Sequence, residues 1–335
     1  MRIVVTGGAG FIGSNFVRHV LREHPDDQVV VLDKLTYAGN LENLADVADD
    51  PRYRFVKGDI CDAEIVGQVA ADVDAIVNFA AETHVDRSIT GPEDFITTDV
   101  LGTHVLLEAV RAHGVPRFLQ VSTDEVYGDV VEGSSVESDP LRPSSPYSAS
   151  KAAGDLMVLA YRRTYDTPAL ITRSSNNYGP YQYPEKVVPL FVTNLLDGRP
   201  VPLYGDGRNV RDWIYVDDNC RGIDLVLREG ANGEVYNIGG GNEVANIDLT
   251  RTMLAELGLG DGMIRWVDDR AGHDRRYSID CSKLRALGWE PRVAYDAGLK
   301  RTIDWYREHR PWWETIKSGE WKRYYARQYQ DSTSS

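Results

Sequence analysis

An α/β fold with a doubly wound parallel sheet follows from three features of the sequence. Up to about residue 178, short β-branched runs alternate with longer helical patterns. The runs are apolar at successive positions, as suits parallel strands covered by helices on both faces. A glycine-rich turn joins the first run to the first helical stretch, the start expected of a strand–turn–helix unit.

The runs come in order as Ile3-Val4-Val5, Val29-Val30-Val31-Leu32, Arg54-Phe55-Val56, Ala75-Ile76-Val77-Asn78-Phe79, Arg117-Phe118-Leu119-Gln120-Val121-Ser122 and Ala169-Leu170-Ile171-Thr172. Between them, residues near 95 to 113 place Val100, His104 or Val105, Leu107 and Val110 at helical spacing, and Gly114-Val115-Pro116 ends that helix. Ser145-Pro146 supplies an N-cap and a first-turn proline to a helix bearing Ala149, Ala153, Leu156, Leu159 and Ala160. Both helices have apolar faces suited to core packing or to a subunit interface. Beyond residue 178, Gly179-Pro180-Tyr181-Gln182-Tyr183-Pro184 and Gly205-Asp206-Gly207 read as irregular loops. A strand and helix return at Trp213 to Leu227, and Val235-Tyr236-Asn237-Ile238 reads as a further strand. The expected organisation is a larger domain from 1–178 and 207–242, and a smaller interleaved α/β domain from 179–206 and 243–330. Residues 331–335 read as a disordered tail.

The formal net charge of −14 speaks against general binding to nucleic acid or to an anionic membrane, which need clustered cations. No stretch approaches the ~18 apolar residues of a membrane span. The chain enters a strand pattern at Arg2-Ile3 without a charged leader, and Cys61, Cys220 and Cys281 are too few and too scattered for a disulfide framework or a zinc site. A cytoplasmic protein without a metal is expected. His84 and Asp86 lack the companion ligands of a metal site and read as structural.

Gly7, Gly10 and Gly13 lie in Thr6-Gly7-Gly8-Ala9-Gly10-Phe11-Ile12-Gly13, directly after the first strand. Such glycines let backbone N–H groups approach a pyrophosphate at a helix N-terminus, where the helix dipole favours negative charge. Asp33 ends the second strand, where a carboxylate accepts from a ribose diol and repels a 2′-phosphate. Asp59-Ile60 ends the third, placed to meet an adenine. The larger domain therefore reads as a Rossmann-type site for NAD over NADP, with Lys34 the one neighbour that could soften the preference.

Tyr147 and Lys151 stand one helical turn apart, downstream of the hydroxyl of Thr123. A lysine ammonium favours phenolate, so this pairing is expected to lower the Tyr147 pKa from ~10 towards neutrality and let it take a hydroxyl proton as hydride leaves the same carbon. Asp124 and Glu125 follow Thr123 at the end of the fifth strand. Two adjacent carboxyls can act as acid and base only if their environments push their pKa values apart.

With Asp33-Lys34-Leu35-Thr36-Tyr37-Ala38-Gly39-Asn40, Ala80-Ala81-Glu82-Thr83-His84-Val85-Asp86-Arg87-Ser88, Asn176-Asn177-Tyr178-Gly179-Pro180-Tyr181, Pro184-Glu185-Lys186, Arg211-Asp212-Trp213 and Gly272-His273-Asp274, the chain resembles the extended short-chain dehydrogenase/reductase family. Within that family the Thr-Asp-Glu triplet makes it similar to the dTDP-glucose 4,6-dehydratases, from the glycine loop to about residue 315.

That resemblance implies NAD contacts from Gly7, Gly10, Phe11, Ile12, Gly13, Asp33, Lys34, Leu35, Thr36, Asp59, Ile60, Ala80, Ala81, Glu82, Thr98 and Asn177, together with Tyr147 and Lys151. It implies substrate contacts from Thr83, Thr123, Asn176, Lys186, Val187, Pro202, Tyr204, Arg211, Asn246, Arg270 and His273. The arginines suit diphosphate because a planar fork holds two oxygens. The implied activity is dehydration of dTDP-glucose through transient C4 oxidation. Tyr147 would serve as base at the C4 hydroxyl, Glu125 as base at C5, and protonated Asp124 as acid to the C6 hydroxyl. A homodimer is also implied. The chain departs from the family's pattern at Ala271, where proline is usual, at Asp99, where Asn is common, and at Ser174-Ser175, where a cysteine is often found. A nucleotide-sugar 4-epimerase and a non-catalytic NAD-sensing module are the alternatives; neither has a use for the Asp124-Glu125 pair.

Overall fold

The computed structural model describes residues 1–270, 272–318 and 325; the tail expected at 331–335 and the departure at Ala271 lie outside the described residues. The strands are β1 (Arg2–Thr6), β2 (Gln28–Asp33), β3 (Tyr53–Lys57), β4 (Ala75–Asn78), β5 (Phe118–Thr123), β6 (Ala169–Ser174), β7 (Asn176–Tyr178), β8 (Val201–Tyr204), β9 (Val210–Tyr215), β10 (Val235–Ile238), β11 (Glu243–Ala245) and β12 (Ile264–Val267). Seven of them form one sheet in the order β10-β6-β5-β4-β1-β2-β3, and each neighbouring pair in it is parallel. The chain winds outward from β1 to β3 and then returns to the other side of β1 at β4. That reversal opens a crevice at the strand ends, where sheets of this kind hold ligands.

Successive residues of a strand point to opposite faces, and the core divides accordingly. Val4, Val30 and Ile76 pack with Leu106, Val110 and Val158 on one face. Ile3, Val5, Val29 and Val31 pack with Phe16, Val20, Ile223 and Val226 on the other. The runs are apolar throughout because both faces are covered.

A third core gathers Tyr178, Phe191, Trp213, Tyr215, Leu254, Ile303 and Trp313 beside the small sheets β11-β9-β7 and β12-β8. The sequence grouped all of 207–242 with the larger domain, yet β9 pairs with β7 and β11. Its alternation explains this: Trp213 and Tyr215 enter the third core while Ile214 joins the large-sheet core. β9 is thus a wall shared by both parts. The helix Val216–Glu229 and β10 then return to the large sheet.

The helix expected near 95 to 113 begins as a wider π-turn, Ile96–Gly102, and becomes α-helical only from Thr103 to His113. At Gly102 a Cβ would come within 2.6 Å of Ile60 Cγ1, so a larger residue there would require the Ile60 side chain to move. The wider turn shifts the 3.6-residue phase, leaving Val100 only partly buried while Leu106, Leu107 and Val110 are core. The helix Pro146–Tyr165 starts as the sequence indicates: Ser148 N–H donates to Ser145 Oγ at 3.1 Å, and Ser145 N–H donates to Ser148 Oγ at 3.0 Å. No helix among the described residues is long and apolar enough to cross a membrane.

Candidate active site

A single cleft runs along the C-terminal ends of the large sheet. Gly7, Gly10, Phe11, Ile12, Gly13, Asp33, Lys34, Thr36, Asp59, Ile60, Ala80, Ala81, Glu82, Thr83, Thr98, Thr123, Glu125, Tyr147, Lys151, Asn176, Asn177 and Lys186 all line it. Its glycine wall is a built feature. Gly7 has φ +64°, and a Cβ there would stand 2.6 Å from the Ala80 nitrogen. Asp33 ties this wall together, accepting from Ala9 N–H at 3.0 Å and from Leu35 N–H at 2.8 Å. Leu35, in the left-handed region at φ +59°, contributes its backbone to that turn and does not line the cleft. Lys34 is paired with Asp59 at 2.6 Å, so the cation beside Asp33 is already matched by a carboxylate. Within the chain, Asn176 Oδ1, Asn177 Oδ1 and Gln182 Oε1 are buried without a hydrogen-bond partner among the described residues. An extended polar ligand fits a cleft with a glycine cradle at one end and unsatisfied acceptors further along.

At the end of β5, Thr123 caps the short 3₁₀ turn Asp124–Tyr127 by accepting from Glu125 N–H at 3.3 Å. Its hydroxyl donates to Asp124 Oδ1 at 3.2 Å. Asp124 is buried beneath the cleft, and its Oδ2 has no hydrogen-bond partner among the described residues. Burial, then Glu125 and Asp212, hold its carboxyl well above the usual range, with Arg211 opposing. Burial raises Glu125 as well, but Arg270, Arg211 and Lys186 all pull the other way. The neighbours therefore differ in kind: Asp124 is the readily protonated carboxyl, and Glu125 faces a group of cations that favours its ionised form.

The Tyr147 phenol lines the same cleft and is hydrogen-bonded to Thr123. The expectation that Lys151 lowers its pKa is corrected by the structure. Burial, then Glu125, Asp99 and Asp124, push the phenol well above its ordinary value. Lys151 Nζ is directed to the Val121 carbonyl at 2.9 Å, and its charge acts on the buried carboxyls Asp99 and Asp155. One helical turn brings the two side chains to one cleft, but three nearby carboxyls set the local field on the phenol.

The cations expected for the substrate converge on the Glu125 side. Lys186 Nζ donates to the Thr83 carbonyl. Arg270 pairs with Asp86 at 3.2 Å, and Tyr204 OH donates to the same carboxylate at 3.3 Å. His273 Nδ1 lies 2.5 Å from Asp269 Oδ1, with its ring 6.1 Å from that of Tyr204. Arg211 rests on the Tyr277 ring at 4.2 Å. None of Arg211, Arg270, His273, Tyr204 and Asp124 lines the main cleft, and the same holds for Val187, buried Pro202 in β8 and Asn246 at the head of the helix Asn246–Glu256. His84 is buried and held neutral by burial and by Lys186, Arg87 and Arg270.

Sequence reasoning missed some of this. Asp99 accepts from Ser150 Oγ at 2.6 Å and from Glu82 N–H at 3.1 Å. Burial raises its carboxyl to about 6, and burial with Asp99 and Asp94 raises Glu82 to about 7. Gln182 and Tyr183 also line the cleft. Only the run Tyr181-Gln182-Tyr183 in a polar loop hinted at the latter, and nothing in the spacing pointed to the former.

Residues 4–302 match the family described as GDP-mannose 4,6 dehydratase. A dTDP-glucose 4,6-dehydratase of Streptomyces niveus is 56% identical over 323 residues, covering 95% of this chain and 96% of that protein. The crystal structure of DesIV, a dTDP-glucose 4,6-dehydratase from Streptomyces venezuelae with NAD and TYD bound, superimposes with a TM-score of 0.93 at 57% identity, covering 95% of this chain and all of that one. A UDP-glucose 4-epimerase of Thermotoga maritima, solved with UDP-glucose, has a TM-score of 0.85 at 33% identity over 92% of this chain and 99% of its own.

Proposed function

The chain belongs to the GDP-mannose 4,6 dehydratase family of extended short-chain dehydrogenases/reductases, and on that footing we infer that it dehydrates dTDP-glucose to dTDP-4-keto-6-deoxyglucose, a step of deoxysugar biosynthesis. The observation that carries the reading is the Asp124-Glu125 pair: adjacent carboxyls in opposed electrostatic settings, beside a phenol, in one active-site region. An epimerase needs only oxidation and reduction at C4. A dehydratase needs an acid and a base besides.

When held against the glycine loop, NAD would supply the oxidant for C4 and the reductant for C6, and its positive charge would favour an ionised phenol. Gly7, Gly10 and Gly13 with the helix behind them would hold its pyrophosphate, and Asp33 its ribose. Tyr147 takes the C4 hydroxyl proton, so that C4 becomes a ketone and the C5 hydrogen becomes acidic. Glu125 removes that C5 proton; its three facing cations support an ionised base. Asp124, kept protonated by burial and neighbouring carboxylates, donates to the C6 hydroxyl, which leaves as water. Glu125 then returns its proton to C5. Arg211, Arg270 and Lys186 suit the diphosphate and the charge that develops on the sugar.

We propose that the segments 179–206 and 243–330 form the nucleotide-sugar part, and that two copies associate through the helices near 100 and 150. Ile96, Leu101 and Leu156 on those packed segments are 59%, 48% and 57% exposed, which supports such an interface. A cytoplasmic location accords with the cofactor and the reaction.

The test is to incubate the purified, NAD-loaded protein with dTDP-glucose. The expected product has lost one water, shows the base-induced absorbance of a 4-keto-6-deoxy sugar, and forms without accumulation of NADH. UDP- and GDP-glucose assayed in parallel report the base preference. A folded, NAD-loaded protein that removes water from none of them overturns the assignment.

A further inference from the structure

Trp312 and Asn43 come from opposite ends of the sequence and meet beneath the glycine loop. The Trp312 indole N–H, on the helix Arg310–Ser318, donates to Asn43 Oδ1 at 2.9 Å, and both side chains are buried. With its oxygen taken by a donor, the Asn43 amide has one sensible orientation. Its Nδ2 donates to the Ala9 carbonyl at 2.8 Å. Ala9 lies between Gly7 and Gly10; its carbonyl also accepts from Asn40 N–H at 3.0 Å, and its own N–H donates to Asp33.

The indole sits in a fixed place. Trp305 stands 5.1 Å from it and Tyr181 6.0 Å. Arg18, on the helix Phe11–Glu23 that opens at the glycine loop, covers the Tyr181 ring at 4.1 Å. Arg18 also donates to the Asn43 carbonyl and pairs with Asp46 at 2.7 Å. Packing accounts for the rings, but the Trp312 N–H is aimed at one polar group, and that group is aimed at the cofactor loop.

We propose that Trp312 is a positioning residue for the dinucleotide: through Asn43 it holds the Ala9 carbonyl, and so the glycine loop, in the form that retains NAD between turnovers. The inference rests on NAD occupying that loop, as read above. A reaction that leaves its cofactor as it began has no need to exchange it, so a fastening between the C-terminal helix and the loop serves the cycle.

The experiment measures release of NAD from the purified holoenzyme after dilution, with free dinucleotide assayed over time, alongside the KM for dTDP-glucose. Trp312→Phe keeps an aromatic ring and removes the donor. It is expected to speed release roughly fivefold to tenfold, the factor matching one lost buried hydrogen bond, with the KM for the sugar nucleotide unchanged. Trp305→Phe trims the same aromatic group without a bond to Asn43 and leaves release at the wild-type rate. Equal release from Trp312→Phe and wild type overturns the proposal, and so does equal acceleration in both variants, which assigns the effect to packing. Wild-type protein that binds no NAD instead overturns the cofactor reading beneath it. Should Trp312→Phe fail to fold, replacing the Trp312 indole by its benzothiophene isostere removes the N–H at constant shape and decides the same question.

Discussion

Lys151 Nζ donates to the backbone carbonyl of Val121 at 2.9 Å, anchoring the ammonium at the end of β5, one helical turn from the Tyr147 phenol. The phenol is held high by burial and by Glu125, Asp99 and Asp124. For an acid raised in this way the neutral form dominates, and added positive charge brings the transition down. The apoprotein is therefore expected to show no Tyr147 phenolate below the ordinary ~10 of tyrosine, in an ultraviolet difference spectrum against Tyr147→Phe. The NAD-loaded protein is expected to ionise at lower pH. Lys151→Met should lower kcat by roughly 10²- to 10⁴-fold. A phenolate already present near neutrality in the apoprotein contradicts this account.

Glu125→Gln removes the proposed base at C5 while leaving Tyr147 and Asp124, the proposed acid, in place. Elimination should fall by roughly 10²- to 10⁴-fold, while C4 oxidation persists and becomes visible as NADH absorbance under single turnover. Asp124→Asn, unable to deliver a proton, should fail at the same later stage. Equal loss of oxidation and elimination in Glu125→Gln refutes the division of labour.

Glu82 carries a linkage prediction. Its folded pKa is raised to about 7 by burial and by Asp99 and Asp94. Below its unfolded value, ~4.3, the carboxyl is neutral in both states and nothing is lost. Between ~4.3 and about 7 the unfolded chain ionises while the folded carboxyl stays protonated, so stability falls across that window and the loss is complete above about 7. Glu82→Gln should thus raise the Tm at pH ~8 and leave it nearly unchanged at pH ~4, as followed by circular dichroism. A Tm gain of the same size at both pH values rules out ionisation as its cause.

Arg173 and Asp155 form an ion pair at 2.9 Å in which the side chains are 2% and 0% exposed. Removing one partner strands the other. Arg173→Met should destabilise by about 3–5 kcal/mol in urea unfolding, and Asp155→Leu added to it should restore a large part. A single variant within ~0.5 kcal/mol of wild type, the usual range of surface changes, contradicts a buried pair.

Leu156→Arg places a charge on an exposed apolar position of the proposed subunit contact. Light scattering after size exclusion should show the wild type at twice the chain mass and the variant at the chain mass, with unfolding little changed. Identical masses for the two proteins remove this helix from the interface.

The large sheet was legible because its strands carry their own signal: runs apolar on both faces, such as Val29 to Leu32, need helices on both sides wherever they occur. The double role of β9 was not legible, because its alternation serves two cores and a strand shared between cores looks locally like any other. Gly7, Asp33, Tyr147 and Lys151, which the sequence groups at one site, line one cleft because each lies at a fixed offset from a strand or within one helical turn. Asp99 and Trp312 were not legible, since their partners Ser150 and Asn43 lie 51 and 269 positions away.

By itself the sequence determined which groups gather at and beneath the cleft: a glycine cradle, an acid at the end of β2, a phenol and two adjacent carboxyls, each residue type set by covalent structure and short-range geometry. Only the tertiary structure decided how those groups are tuned. Asp124 and Glu125 are neighbours in sequence with the same functional group. Burial raises both, but Glu125 and Asp212 push Asp124 further up while Arg270, Arg211 and Lys186 pull Glu125 back, so the same chemistry is tuned differently at adjacent positions. Electrostatic free energy depends on distances through space and on exclusion of water, and both are properties of the folded chain.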